Sequence, residues 1–213
     1  MSRITLKGKE RRNYGKGENA TYKPFITTSE FASRGTTAVI VDWKTRRAVH
    51  LLSQAELYFY LILRWDDNNV DIKEQYPMVN DKYIEAARSQ GFIVKPKEGH
   101  IQTIDFLVTE ASGKLHAYSV KSSRSLSDEA LRKLVIEKAY WLYEGVEYTV
   151  LFKSDVESFV PHNIRQIISC YDEKDVFDEY TAILHKIARK ELYFDVWSEP
   201  LTKAVIKRIL KGV

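Results

Sequence analysis

Between Ile101 and Phe152 the hydrophobic period of the sequence changes twice, and that alternation leaves few folds open. IQTIDFLVT, residues 101–109, reads as a strand, and the SGK within residues 110–114 reads as a turn. LHAYSVK, residues 115–121, then returns as a second strand. Residues Ser127–Tyr143 carry an amphipathic helical repeat, with Ser127, Asp128 and Glu129 suited to its start and Gly145 past its end. VEYTVLF, residues 146–152, is apolar and β-branched, as a central buried strand is. A hairpin, a long helix and a further strand predict an α/β domain with a mixed sheet flanked by helices.

The flanking segments extend this pattern. TAVIVDWKTRRAVHLL (37–52) predicts a hairpin around a KTRR turn, and SQAELYFYLILRW (53–65) a helix with Ser53 as N-cap. VDIKEQY (70–76) reads as a strand ended by Pro77, and residues 80–90 as a helix stopped by Gly91. Beyond Pro161, helices are expected at about 163–172, 175–190 and 200–211, interrupted by an extended ELYFDVW. The expected division is a basic arm over 1–24, a catalytic domain over 25–158 and a small helical domain over 159–213. In the arm, Arg3, Lys7, Lys9, Arg11, Arg12, Lys16 and Lys23 face only Glu10 and Glu18. Such a run suits a solvated tail and a DNA-backbone contact equally well, and Lys7, Lys9, Arg11, Arg12 and Lys16 are the DNA-binding candidates.

Composition removes several classes. With 44% apolar residues the chain can bury a core, and its single cysteine, Cys170, excludes both a disulfide framework and a thiolate zinc cluster. The N-terminal residues have no apolar core of the signal-peptide kind. The longest apolar run, LYFYLIL (57–63), is far short of the roughly 20 residues a membrane helix needs. A cytoplasmic protein is expected, with no membrane partner. No phosphate-binding glycine loop or nucleophile elbow occurs, and His50, His100, His116, His162 and His185 show no zinc spacing.

Phosphodiester hydrolysis needs a shielded phosphate, an activated water and a stabilised leaving oxygen, and Mg²⁺ held by carboxylates supplies all three. Restriction-type nucleases place an Asp at the start of a hairpin and a Lys on its return strand. Asp105 in TIDFLV and Ser119-Val120-Lys121 in YSVK match that arrangement. Ser119 and Lys121 share one strand face, and the carbonyl of Val120 can serve as a further metal ligand. Glu56 lies in SQAE, a capping box, so its pattern alone favours a helix cap over a metal ligand. Glu74 and Glu137 read either as supporting carboxylates around the metal or as surface charges.

Taken together, HLLSQAELYFYLILRWDDNNVDIKEQYPM, TIDFLV, the return strand ending in Lys121 and VIEKAYW resemble the TnsA family in order and in spacing. The resemblance covers about residues 37–155. It implies a restriction-endonuclease-like fold with a small, mainly helical, winged-helix-like C-terminal domain. It also implies Glu56 and Asp105 as metal carboxylates, Lys121 as the catalytic lysine, and Mg²⁺ as cofactor with Mn²⁺ as a substitute. The implied activity is cleavage of the 5′ strands at transposon ends within a heteromeric, Tn7-like bacterial transposase. The implied partners are double-stranded DNA, a DDE-type TnsB-like transposase and an AAA+ TnsC-like regulator that contacts the C-terminal domain. Ser119 stands where the family has Glu or Gln; it is expected in the metal site as a poorer hydroxyl ligand or through water, which puts a second metal in question. Another restriction-fold nuclease, a catalytically decayed assembly subunit and a generic α/β domain stay open as alternatives.

Overall fold

The structure, a computed structural model, describes residues 4–30, 36–95 and 100–211. It divides into two compact units, one of residues 1–59 and 66–154, the other of residues 60–65 and 155–213. Arg3 of the basic run lies outside the described residues.

The larger unit is built on strands β1 (Ala38–Val41), β2 (Ala48–Leu51), β3 (Asn69–Pro77), β4 (Thr103–Glu110), β5 (Leu115–Lys121) and β6 (Glu147–Phe152). β1 and β2 form a separate antiparallel hairpin. The other four lie in the order β3-β4-β5-β6, antiparallel except for the parallel β5–β6 pair. The sheet is therefore mixed, as expected. Its parallel pair needs a long crossover, and the helix between those strands supplies it.

Seven α-helices occur among the described residues: α1 (Leu6–Arg11), α2 (Gln54–Trp65), α3 (Asn80–Ser89), α4 (Asp128–Tyr143), α5 (Phe159–Ile168), α6 (Glu179–Ala188) and α7 (Lys203–Leu210). Helix α4 starts because Ser127 Oγ accepts the amide of Ala130, and it ends before Gly145 at φ +68°. Its inner face packs Ile136, Tyr140 and Trp141 with Tyr83 and Ala87 of α3 and with Ile104, Leu107 and Ala117 of the sheet. That one cluster holds both helices and the central strands at fixed separation.

The N-terminal segment is not the flexible arm that its charge suggested. Lys9, in α1, is buried: its Nζ donates to the carbonyl of Phe25 and lies 3.0 Å from Glu30 Oε2. Tyr22 is buried as well, and its hydroxyl donates to the carbonyl of Glu74 at 2.9 Å. Gly15, at φ +75°, passes so close to Pro77 that a Cβ would lie 2.6 Å from the proline ring. Charge counting missed this because a buried lysine with a partner is indistinguishable, in sequence, from an exposed one.

The smaller unit is helical, with no strand among its described residues. Helix α5 begins four residues before the expected start, and Pro161 sits in its first turn, where a missing amide costs nothing. Buried Asn163 donates to the carbonyls of Val196 and Glu199 and accepts the amide of Leu201. Those bonds tie Val196, Glu199 and Leu201 to α5; ELYFDVW (191–197) lies in neither helix nor strand.

Candidate active site

Pairing of β4 with β5 runs from Thr109↔Leu115 to Phe106↔Tyr118. One step further along the same register, Asp105 faces Ser119. There the amide of Val120 donates to Asp105 Oδ2 at 2.6 Å, so a side chain takes over where the backbone ladder ends. Lys121 Nζ lies 3.9 Å from the same Oδ2 and donates to the carbonyl of Val120 at 3.0 Å. The hairpin thus brings Asp105 and Lys121 together, as the sequence predicted, with both side chains partly open to solvent.

Glu56 reaches this end of the sheet from the first turn of α2. Ser53 caps the helix by accepting the amide of Glu56, and its hydroxyl donates to Glu56 Oε1 at 3.0 Å. Glu56 Oε2 accepts from the amide of Leu52 at 2.9 Å and from Gln75 Nε2 at 3.2 Å. Capping and site roles coexist in one side chain. Burial, and then the charge of Asp105, push its pKa up to about 7, while these hydrogen bonds work in the opposite sense.

Gln75 is the residue sequence reasoning missed. β3 pairs with β4 through Glu74↔Phe106 and Tyr76↔Ile104, which puts Gln75 level with Asp105. It is buried, sits at φ +50°, donates to Glu56 and accepts from Thr103 Oγ1 at 2.9 Å. Strand parity separates Gln75 from Glu74, but which of them joins Asp105 is set by the β3–β4 register, which no local pattern carries.

Glu74 takes the other face and is corrected accordingly. Its Oε1 accepts from Arg47 Nη1 at 2.7 Å and from the amide of His50 at 3.1 Å, tying β2 to β3. It supports the hairpin, not the carboxylates. His50 is likewise packed, with Nδ1 3.1 Å from Thr28 Oγ1, and burial lowers its pKa.

Ser119 donates to Glu137 Oε2 at 2.5 Å, and Tyr148 donates to the same oxygen at 3.0 Å. Glu137 is almost fully buried, and Lys133 Nζ lies 3.5 Å from its Oε1. Ser119 therefore adds a second carboxylate layer behind Asp105, on α4, while its hydroxyl is committed to Glu137. Among the described residues no three His, Cys, Asp or Glu side chains form a cluster able to hold a metal ion. The oxygen donors at hand are Glu56, Asp105 and the carbonyl of Val120. Hard oxygen donors of this kind, with two carboxylates close enough to raise one pKa, suit Mg²⁺.

Of the basic candidates, Lys7, Arg11, Arg12 and Lys16 are exposed, and Lys9 is not. No described helix is long and apolar enough to cross a membrane.

Two comparisons with known proteins point to one family. Residues 66–152 match the family described as TnsA-like endonuclease N terminal, a stretch that includes Asp105, Ser119, Lys121 and Glu137. The transposon Tn7 transposition protein TnsA of Escherichia coli is 29% identical over 193 residues, covering 88% of this chain and 70% of that protein.

Proposed function

We propose, from its likeness to the TnsA family, that the chain is a TnsA-type protein, the Mg²⁺-dependent DNA endonuclease subunit of a heteromeric transposase, cutting the 5′ strands at transposon ends. The observation that carries this reading is the junction of Asp105, Val120 and Lys121 at the open end of the β4–β5 ladder, with Glu56 delivered beside it by α2.

Glu56 and Asp105 would hold the cation, with the carbonyl of Val120 as an additional donor; Mn²⁺ is expected to substitute. When bound, the cation supplies charge neutralisation at the phosphate and a water of lowered pKa. Gln75 keeps Glu56 turned toward Asp105. The Val120 amide keeps Asp105 turned toward the hairpin end. Lys121, with one contact to Asp105 and one to the carbonyl of Val120, is positioned to orient the attacking water and offset charge developing on the phosphate. Glu137 acts from behind, holding Ser119 and Lys133.

The partners follow from the family reading: double-stranded DNA at transposon ends, a DDE-type TnsB-like transposase that processes the opposite strands, and an AAA+ TnsC-like regulator. The helical residues 159–213 are the proposed regulator contact, and exposed Lys7, Arg11, Arg12 and Lys16 a proposed DNA contact. A second reading, an assembly subunit without activity, is favoured by one feature: Ser119 brings a hydroxyl already committed to Glu137 where a carboxylate ligand would strengthen metal binding. Calorimetric titration with Mn²⁺ separates the two. Binding that is lost in both Glu56→Gln and Asp105→Asn supports the nuclease; no binding by the wild type leaves the assembly subunit.

A further inference from the structure

Helix α4 brings a second lysine to the carboxylates. Lys133 lies one turn before Glu137, with Nζ 3.5 Å from Glu137 Oε1, yet 44% of its side chain is exposed while that of Glu137 is 1% exposed. Burial alone would lower its pKa; the fields of Glu137, Asp105 and Glu56 outweigh burial and raise it. The ammonium therefore stays charged, within electrostatic reach of all three carboxylates, and still faces solvent.

It faces a groove. A cavity of about 440 Å³ is bounded by Lys133, Arg132, Ser127 and Gln102, among others. A second cavity of about 240 Å³ shares Tyr83, Val94 and Gln102 with the first and continues to Lys95 and His100. The three shared walls place the two cavities side by side, one lined by Lys133 and the other by Lys95. Their charged walls are Lys133, Arg132 and Lys95 against one carboxylate, Glu129. Arg132 is held in place by donating to the carbonyl of Ile93 at 2.7 Å and by lying over the ring of Phe92. Three cations lining adjoining cavities, the first of them in the field of Glu137, Asp105 and Glu56, match a polyanion.

We propose that this groove seats the DNA strand beside the cut, Lys133 taking the phosphate next to the scissile one and Arg132 and Lys95 taking phosphates beyond it. The inference rests on the nuclease reading and adds to it a strand path with a second positioning lysine.

The test measures binding of a labelled DNA duplex by the full chain carrying Asp105→Asn, so that no strand is cut, across a series of salt concentrations. Adding Lys133→Gln is expected to weaken binding about tenfold, the scale of a charge-assisted hydrogen bond. It should also lower the slope of log affinity against log salt by ~0.9, the value of one phosphate contact. Lys133→Arg should restore both, and Arg132→Gln should lower the slope further. An unchanged slope and affinity in Lys133→Gln overturns the groove while leaving the nuclease reading intact. A lower melting temperature with an unchanged slope overturns it too, making Lys133 merely the counter-ion of Glu137. If the Asp105→Asn chain binds no DNA at any salt concentration, the groove is overturned, while the nuclease reading stands or falls on Mn²⁺ binding and on cleavage with the transposase.

Discussion

Gln75 Nε2 donates to Glu56 Oε2 across 3.2 Å, so a strand residue in the left-handed backbone region sets the direction of a carboxylate presented by a helix. The same carboxamide accepts from Thr103 Oγ1, leaving it little freedom to rotate. Gln75→Ala would strand both partners in a buried setting and should destabilise the fold by about 1–3 kcal/mol. Cleavage should fall further than the loss of folded protein explains. Unfolding curves and single-turnover rates on the same preparation check both halves of the prediction.

Ser119→Ala removes a donor from Glu137, a carboxylate with almost no access to water. The cost should be about 1–3 kcal/mol, and Tyr148→Phe, which removes the other hydroxyl donor to that oxygen, should cost a similar amount. Because both hydroxyls serve one oxygen, the double variant should lose less or more than the sum. A denaturant-based double-mutant cycle measures that coupling; strict additivity would mean the two hydroxyls do not share Glu137.

The raised pKa of Glu56 makes stability depend on pH when no divalent cation is present. Its folded pKa of about 7 lies above the ordinary 4.5, so the native state retains a proton that the unfolded chain releases. The stabilising contribution is full below about 4.5 and is lost as pH rises through about 7, by up to about 3 kcal/mol. Thermal unfolding in EDTA should therefore show stability falling across this window, and Glu56→Gln should flatten the fall. A wild-type curve parallel to that of Glu56→Gln would contradict the assignment.

Lys9 and its basic neighbours should separate cleanly. Lys9→Ala leaves Glu30 buried without its ion-pair partner, and should cost about 3–5 kcal/mol with little change in the salt dependence of DNA binding. Arg11→Gln and Lys16→Gln change exposed residues and should do the reverse, lowering the salt slope while leaving the unfolding midpoint in place. Paired melting and binding measurements on the three variants distinguish them.

These residues also mark what the sequence made legible. The β4–β5 hairpin, α4 and the Ser53–Glu56 cap were readable because each depends on local periodicity or on residues three apart. Asp105 and Lys121 followed, since the turn between them fixes their approach. Gln75 and Lys133 did not, because their roles arise from cross-strand register and helix packing between segments distant in sequence. Glu74 was misplaced for a related reason: one step along a strand moves a side chain to the opposite face, and there Arg47 holds it. Lys9 shows the limit of charge counting, since α1 folds its ammonium against Glu30.

The most direct test of the account is strand-specific cleavage of labelled transposon-end DNA with the cognate transposase and Mg²⁺, comparing wild type with Asp105→Ala and Lys121→Ala. The account predicts that both variants lose the 5′-strand cuts while the partner's 3′-strand cuts persist. Wild-type rates of 5′ cutting in both variants would contradict it.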